Sequence, residues 1–136
     1  MRVWEVATGA AVVLLSQAVA PISVPAAADA RLERSLRMLA PAERLEQLCD
    51  YTAMASIRKD AGNFRPERAV ANAGADVKVK NDTIVASAGA FRSRGKWYGM
   101  AYTCSATPDH MQVLSFQYTI GGEIPEAKWA TYGLFD

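Results

Sequence analysis

The residues of this chain that could do chemistry are few and scattered. They are two cysteines, Cys49 and Cys104, a single histidine, His110, beside Asp109, a run of carboxylates at Glu43, Glu46 and Asp50, and a cationic, aromatic segment at residues 91–98. Two distant cysteines and one histidine offer neither a ligand cluster nor CxxC spacing, so no metal, redox pair or cofactor is expected. Asp109 and His110 have the types for general acid–base work, but an adjacent pair in a polar turn reads more simply as solvated. No activated nucleophile accompanies them, since Ser105 and Ser115 lack a G-x-S-x-G setting. Glycosidase chemistry needs two carboxyl groups flanking a sugar, one with a raised pKa; the helical spacing of Glu43, Glu46 and Asp50 reads instead as a solvated helix face. No catalytic residue is therefore assigned.

The segment FRSRGKWY, residues 91–98, carries the clearest binding chemistry. Arg92, Arg94 and Lys96 beside Trp97 could hold a carboxylate, a phosphate or an acidic sugar, the arginines through paired hydrogen bonds and the indole as a stacking face. The competing reading is a charged hairpin turn that keeps a sheet in solution.

These residues sit in a chain of 136 residues with a formal net charge of +1. That length suits one domain. Near-neutrality argues against a nucleic-acid binder, which would carry a basic excess. The N-terminus differs from the rest: Arg2 precedes an apolar stretch at residues 6–15, and small or polar residues follow up to Ala28. This is the layout of a secretory signal peptide covering residues 1–28, with Ala26 and Ala28 at the −3 and −1 positions. Retention as an anchor is the alternative, although the continuous apolar part is shorter than the roughly 20 residues that span a bilayer; a membrane partner is expected only in that case. No cysteine lies near the cut, so no lipid anchor is expected.

The mature part, residues 29–136, then reads as one exported domain, and an even cysteine pair in such a domain reads as a disulfide between Cys49 and Cys104. Two buried thiols are the alternative. The loop so closed holds roughly 55 residues, worth about 4 kcal/mol in the chain-entropy account.

The elements that would position these residues follow from periodicity. Leu32, Leu36 and Leu39 predict a short helix, and residues 42–58 predict a longer one with Leu45, Leu48, Cys49, Thr52 and Ser56 on one stripe. Pro66 could open a third short helix through Ala73. From Val77 the period becomes two, predicting strands at residues 77–80, 83–91, 96–105 and 112–120. Tyr98, Met100, Tyr102 and Cys104 would share one face of the third strand, and Leu114, Phe116, Tyr118 and Ile120 one face of the fourth. Cys104 thus faces the helix that carries Cys49. Pro125 to Gly133 predicts a short closing helix, with Trp129 and Phe135 docking the C-terminus. The expected fold is α+β: N-terminal helices packed on a four-stranded antiparallel meander, with a short C-terminal helix.

Four strings, RLEQLCDYTAM, FRSRGKWYGMAYTC, PDHMQVLSFQYTIG and EIPEAKWATYGLFD, together resemble a family of bacterial exported or envelope proteins, the domain of unknown function numbered 930. The resemblance covers about Leu36 to Asp136 and includes both cysteines. It implies an alphaproteobacterial source and a periplasmic destination. The family has no established activity, so no catalytic residue is carried over. The expectation is a non-enzymatic periplasmic binding or envelope-associated module whose partner is an envelope component or protein. The alternative is a small enzyme, or an inhibitor of one, acting on envelope polymers.

Overall fold

The computed structural model describes residues 26–136. Apart from its last three residues, which begin the first helix, the expected signal segment lies outside the described residues. Helix α1 (Ala26–Arg37) leads through a short turn into α2 (Pro41–Asp60). Pro41 opens α2, where its missing N–H would have no helical partner anyway. Glu43 near the start and Arg58 and Lys59 at the end complement the helix dipole. Leu45, Leu48, Cys49, Ala53 and Ile57 are buried along it. None of the described helices is long and apolar enough to cross a membrane.

Five antiparallel strands follow: β1 (Pro66–Val70), β2 (Lys78–Lys80), β3 (Thr83–Ser93), β4 (Lys96–Ala106) and β5 (Val113–Glu123). β3, β4 and β5 form the expected meander. β1 and β2 share the outer edge of β3: residues 78–80 pair with Val85 to Thr83, and Val70 to Pro66 with Ala90 to Ser93. The expected helix from Pro66 is thus a strand, and the sheet has five strands rather than four. A one- or two-turn helix has too few internal bonds to persist alone, whereas an extended segment gains a whole ladder from the long β3. Proline is tolerated at the first residue of an edge strand.

Alternation sorts the side chains. Met100, Tyr102, Cys104 and Ala106 of β4 are buried beneath α2, joined by Ile84, Ala86 and Phe91 of β3. On β5, Phe116, Tyr118 and Ile120 pack against the same core, but Leu114 is 70% exposed. The register passes from Ser105 opposite Ser115 to Ala106 opposite Val113, so Leu114 is the extra residue of a bulge and leaves the expected stripe.

The disulfide joins Cys49 of α2 to Cys104 of β4 with a Cα separation of 6.0 Å, both residues fully buried. It pins helix to sheet, as the alternation predicted.

A second, smaller cluster lies on the opposite face: Ala90, Trp97 and Leu134, with Trp129, Tyr132 and Ile124 around them. The closing segment is two 3₁₀ turns, Glu126–Lys128 and Ala130–Tyr132, ended by Gly133 in the left-handed region at φ 66°. Leu134 rather than Phe135 docks this segment. Phe135 is 67% exposed, but its carbonyl oxygen accepts a hydrogen bond of 3.1 Å from Trp97 Nε1.

Candidate anion-binding cleft

Several groups that the sequence offers as chemical candidates turn out to fasten α2 to the sheet. His110 is buried rather than solvated: Nδ1 lies 2.7 Å from the carbonyl oxygen of Pro41 and Nε2 2.9 Å from Asp82 Oδ1. A carbonyl only accepts, so Nδ1 carries a hydrogen. The ring thus ties the β4–β5 loop to the start of α2 and to the β2–β3 turn. Asp109 makes no hydrogen bond to it and instead accepts from Thr107 Oγ1 and the Met111 N–H, which together hold its carboxyl below the usual range. There is no Asp109–His110 dyad. At the other end of α2, Tyr118 donates to Asp60 at 2.8 Å.

Asp50 also departs from the expected solvated face. It is 5% exposed, because it falls on the buried stripe with Ala53 and Ile57, and it accepts a 2.8 Å hydrogen bond from the Tyr102 hydroxyl. Burial pushes its carboxyl up to about 7; the Tyr102 bond works against that rise and the charge of Glu46 adds to it. The phenol of Tyr102 is pushed far above its ordinary range, first by its own burial and then by Asp50, so it remains a donor.

A cleft of about 360 Å³ runs between the two helices and β1. Leu32 and Leu36 of α1, Leu39 of the turn that follows it, and Tyr51 and Met54 of α2 form its apolar side, which Asp50 also lines. Arg68 of β1, Trp97 of β4 and Phe135 form the other side. Cross-strand register sets Arg68 opposite Arg92, and Arg92 opposite Trp97, so these three side chains stand in a row on one face of the sheet. The Arg92 side chain is 17% exposed, and its Nε is buried with no hydrogen-bond partner. The carboxylate nearest to it is Asp136, whose Oδ1 lies 3.9 Å from a terminal guanidinium nitrogen. Arg68 takes part in none of the ion pairs among the described residues. Two guanidinium groups directly opposite each other repel; an oxyanion between them would reverse the sign and accept paired hydrogen bonds.

The four residues singled out in the sequence therefore part company. Arg92 and Trp97 share a face. Trp97, however, is 2% exposed, packed by Ala90 and Leu134, and forms a wall instead of the open stacking surface expected of it. Arg94 occupies the β3–β4 turn at φ 52°, its backbone N–H donating to Glu67. Lys96 points to the other face and lies 3.7 Å from Glu123. Arg68 was missed because it lay in the segment read as a helix. Among the described residues no group of three His, Cys, Asp or Glu side chains could hold a metal ion.

The family model described as Domain of Unknown Function (DUF930) matches residues 36–134. No curated protein and no solved structure matches the chain.

Proposed function

We propose that this chain, which belongs to the DUF930 family, is an exported, non-enzymatic binding module of the periplasm that takes an anionic component of the cell envelope into the cleft beside Arg68 and Arg92. The observation that carries this reading is the pair of arginines set opposite each other on β1 and β3, Arg68 lining the cleft and Arg92 beside it with a buried and unpartnered Nε. Export rests on the signal-like N-terminus and on the disulfide, which persists in oxidising compartments. The partner is an envelope polymer or lipid bearing carboxylate or phosphate groups. Nucleic acid is disfavoured by the near-neutral charge.

The test is co-sedimentation of the oxidised chain with isolated sacculi and, separately, with vesicles containing an anionic lipid. Retention on one of them should be lost when Arg68 and Arg92 are both changed to Gln, and kept when Arg94 is changed to Ala. Retention that survives the double change, or that is absent from the native chain on both supports, would remove the reading.

A second reading, a small enzyme acting on envelope polymers, is favoured by one observation: Asp50 lines the same cleft with its carboxyl raised to about 7, the range of a general acid at neutral pH. Release of soluble fragments from sacculi by the native chain, abolished in Asp50→Asn, would select it over simple binding.

A further inference from the structure

The two edges of the sheet are built differently. On one side the edge is broken into the five residues of β1 and the three of β2, and it carries Pro66, Glu67, Arg68, Lys78 and Lys80. Short edge strands, prolines and charges are the devices that stop a sheet from pairing with another chain. On the other side β5 runs for eleven residues, VLSFQYTIGGE, with no proline and no charge before its final Glu123. No described element pairs with its outer edge. Bulges at either end, near Leu114 and near Gly121 and Gly122, leave Ser115 to Ile120 as a regular stretch with its outer N–H and C=O groups unclaimed.

The side chains of that stretch say what would fit against it. Its α2 side presents Phe116 and Tyr118, half-buried, with ring centroids 5.8 Å apart, then Ile120. Beyond them Leu114 is 70% exposed. Its other side presents Ser115, Gln117 and Thr119, all exposed. Antiparallel pairing of this strand with its own copy about a two-fold axis at Gln117 sets Phe116 against Tyr118, Ser115 against Thr119 and Leu114 against Ile120. Every pair then joins like with like in polarity, aromatic rings meet across the strands, and no charges are brought together. A strand of a different sequence would have to reproduce that pattern; a second copy supplies it by symmetry.

We infer that β5 is a self-pairing edge, through which two copies of this chain join into one continuous antiparallel sheet with a two-fold axis at Gln117. Each half of the pair keeps its cleft, because the cleft lies beside β1 at the opposite edge.

Sedimentation equilibrium of the oxidised full chain across the micromolar range tests this, together with two substitutions at an exposed side chain that the monomer does not use. The native chain should sediment as a dimer. Gln117→Lys places two ammonium groups on the axis and should weaken dimerisation by roughly tenfold or more, with an unchanged circular dichroism spectrum. Gln117→Cys should cross-link to its own copy under mild oxidation. A native chain that is monomeric throughout the range, or a dimer that neither Gln117→Lys weakens nor Gln117→Cys cross-links, would overturn the inference.

Discussion

The face of the sheet beneath α2 and the opposite face near Arg92 are both well buried, yet they treat polar groups in opposite ways. Beneath α2, Asp50 meets Tyr102, His110 meets Pro41 and Asp82, and the disulfide joins the two layers between them. On the opposite face, Arg92 holds the one buried side-chain nitrogen or oxygen among the described residues that lacks a partner, with a second arginine set directly across from it. Leaving a buried donor unpaired costs about 1–3 kcal/mol. The first face therefore reads as fastening that is complete without a ligand, and the second as a place where an anion would relieve a standing cost. That contrast, more than the size of the cleft, is what supports the proposed site.

The contrast breaks first at the disulfide. Replacing both Cys49 and Cys104 by Ala should lower stability by about 4 kcal/mol, read from urea unfolding, while anion retention by the folded fraction stays intact; a loss much below 1 kcal/mol would mean that α2 is not fastened as described. The next effect is that of pH. Burial raises the Asp50 carboxyl from 3.8 to about 7, so the folded chain binds this proton more tightly than the unfolded one. Its contribution to stability is fully present below the unfolded value and is lost as pH rises through the folded one. At about 1.4 kcal/mol per unit the loss is roughly 4 kcal/mol, most of it on the way up to neutrality. Asp50→Asn keeps an acceptor for Tyr102 and should flatten the dependence of the unfolding midpoint on pH over that window. A slope that persists in the variant would assign it to another group.

The two faces were not equally legible in the sequence. The helix stripe of Leu45, Leu48 and Cys49 and the period-two pattern through Tyr102 and Cys104 express burial in local spacing, so α2, the meander and the disulfide could all be read. Asp50 could not, because a carboxylate four residues after Glu46 looks solvated; only Ala53 and Ile57, three and seven residues on, hinted that the buried stripe was wider. β1 was missed because its ladder is long-range: Arg68 meets Arg92 across 24 positions, 92 − 68, and nothing in RPERAV itself favours a strand. Leu114 left its stripe through a bulge, which shifts register without any sequence mark. The partners of His110, Pro41 and Asp82, lie 69 and 28 residues away. The missing arginine of the site thus belonged to a strand that only pairing defines.

A smaller effect is expected at His110. Changing it to Ala removes two hydrogen bonds and should cost about 2 kcal/mol. Changing it to Gln, which retains a donor, should recover part of that, measured by the same urea unfolding. An unaltered midpoint in His110→Ala would show that the β4–β5 loop is held by Arg44 instead, whose guanidinium donates to the carbonyl oxygen of Asp109.

The smallest expected change in stability sharpens the contrast most. Arg68→Gln removes one of two opposed guanidinium groups and no ion pair, so stability should stay within roughly 0.5 kcal/mol of the native chain and shift upward if it moves at all. Its effect should appear instead under ligand. Any anion that binds the folded chain alone raises the melting temperature in proportion to occupancy. Pyrophosphate, added as a probe with two phosphate groups, should therefore raise the native midpoint and leave that of Arg68→Gln nearly unmoved. If Arg68→Gln instead costs as much as His110→Ala, and pyrophosphate moves both midpoints equally, then Arg68 is one more fastening and the two faces differ only in how tightly they are packed.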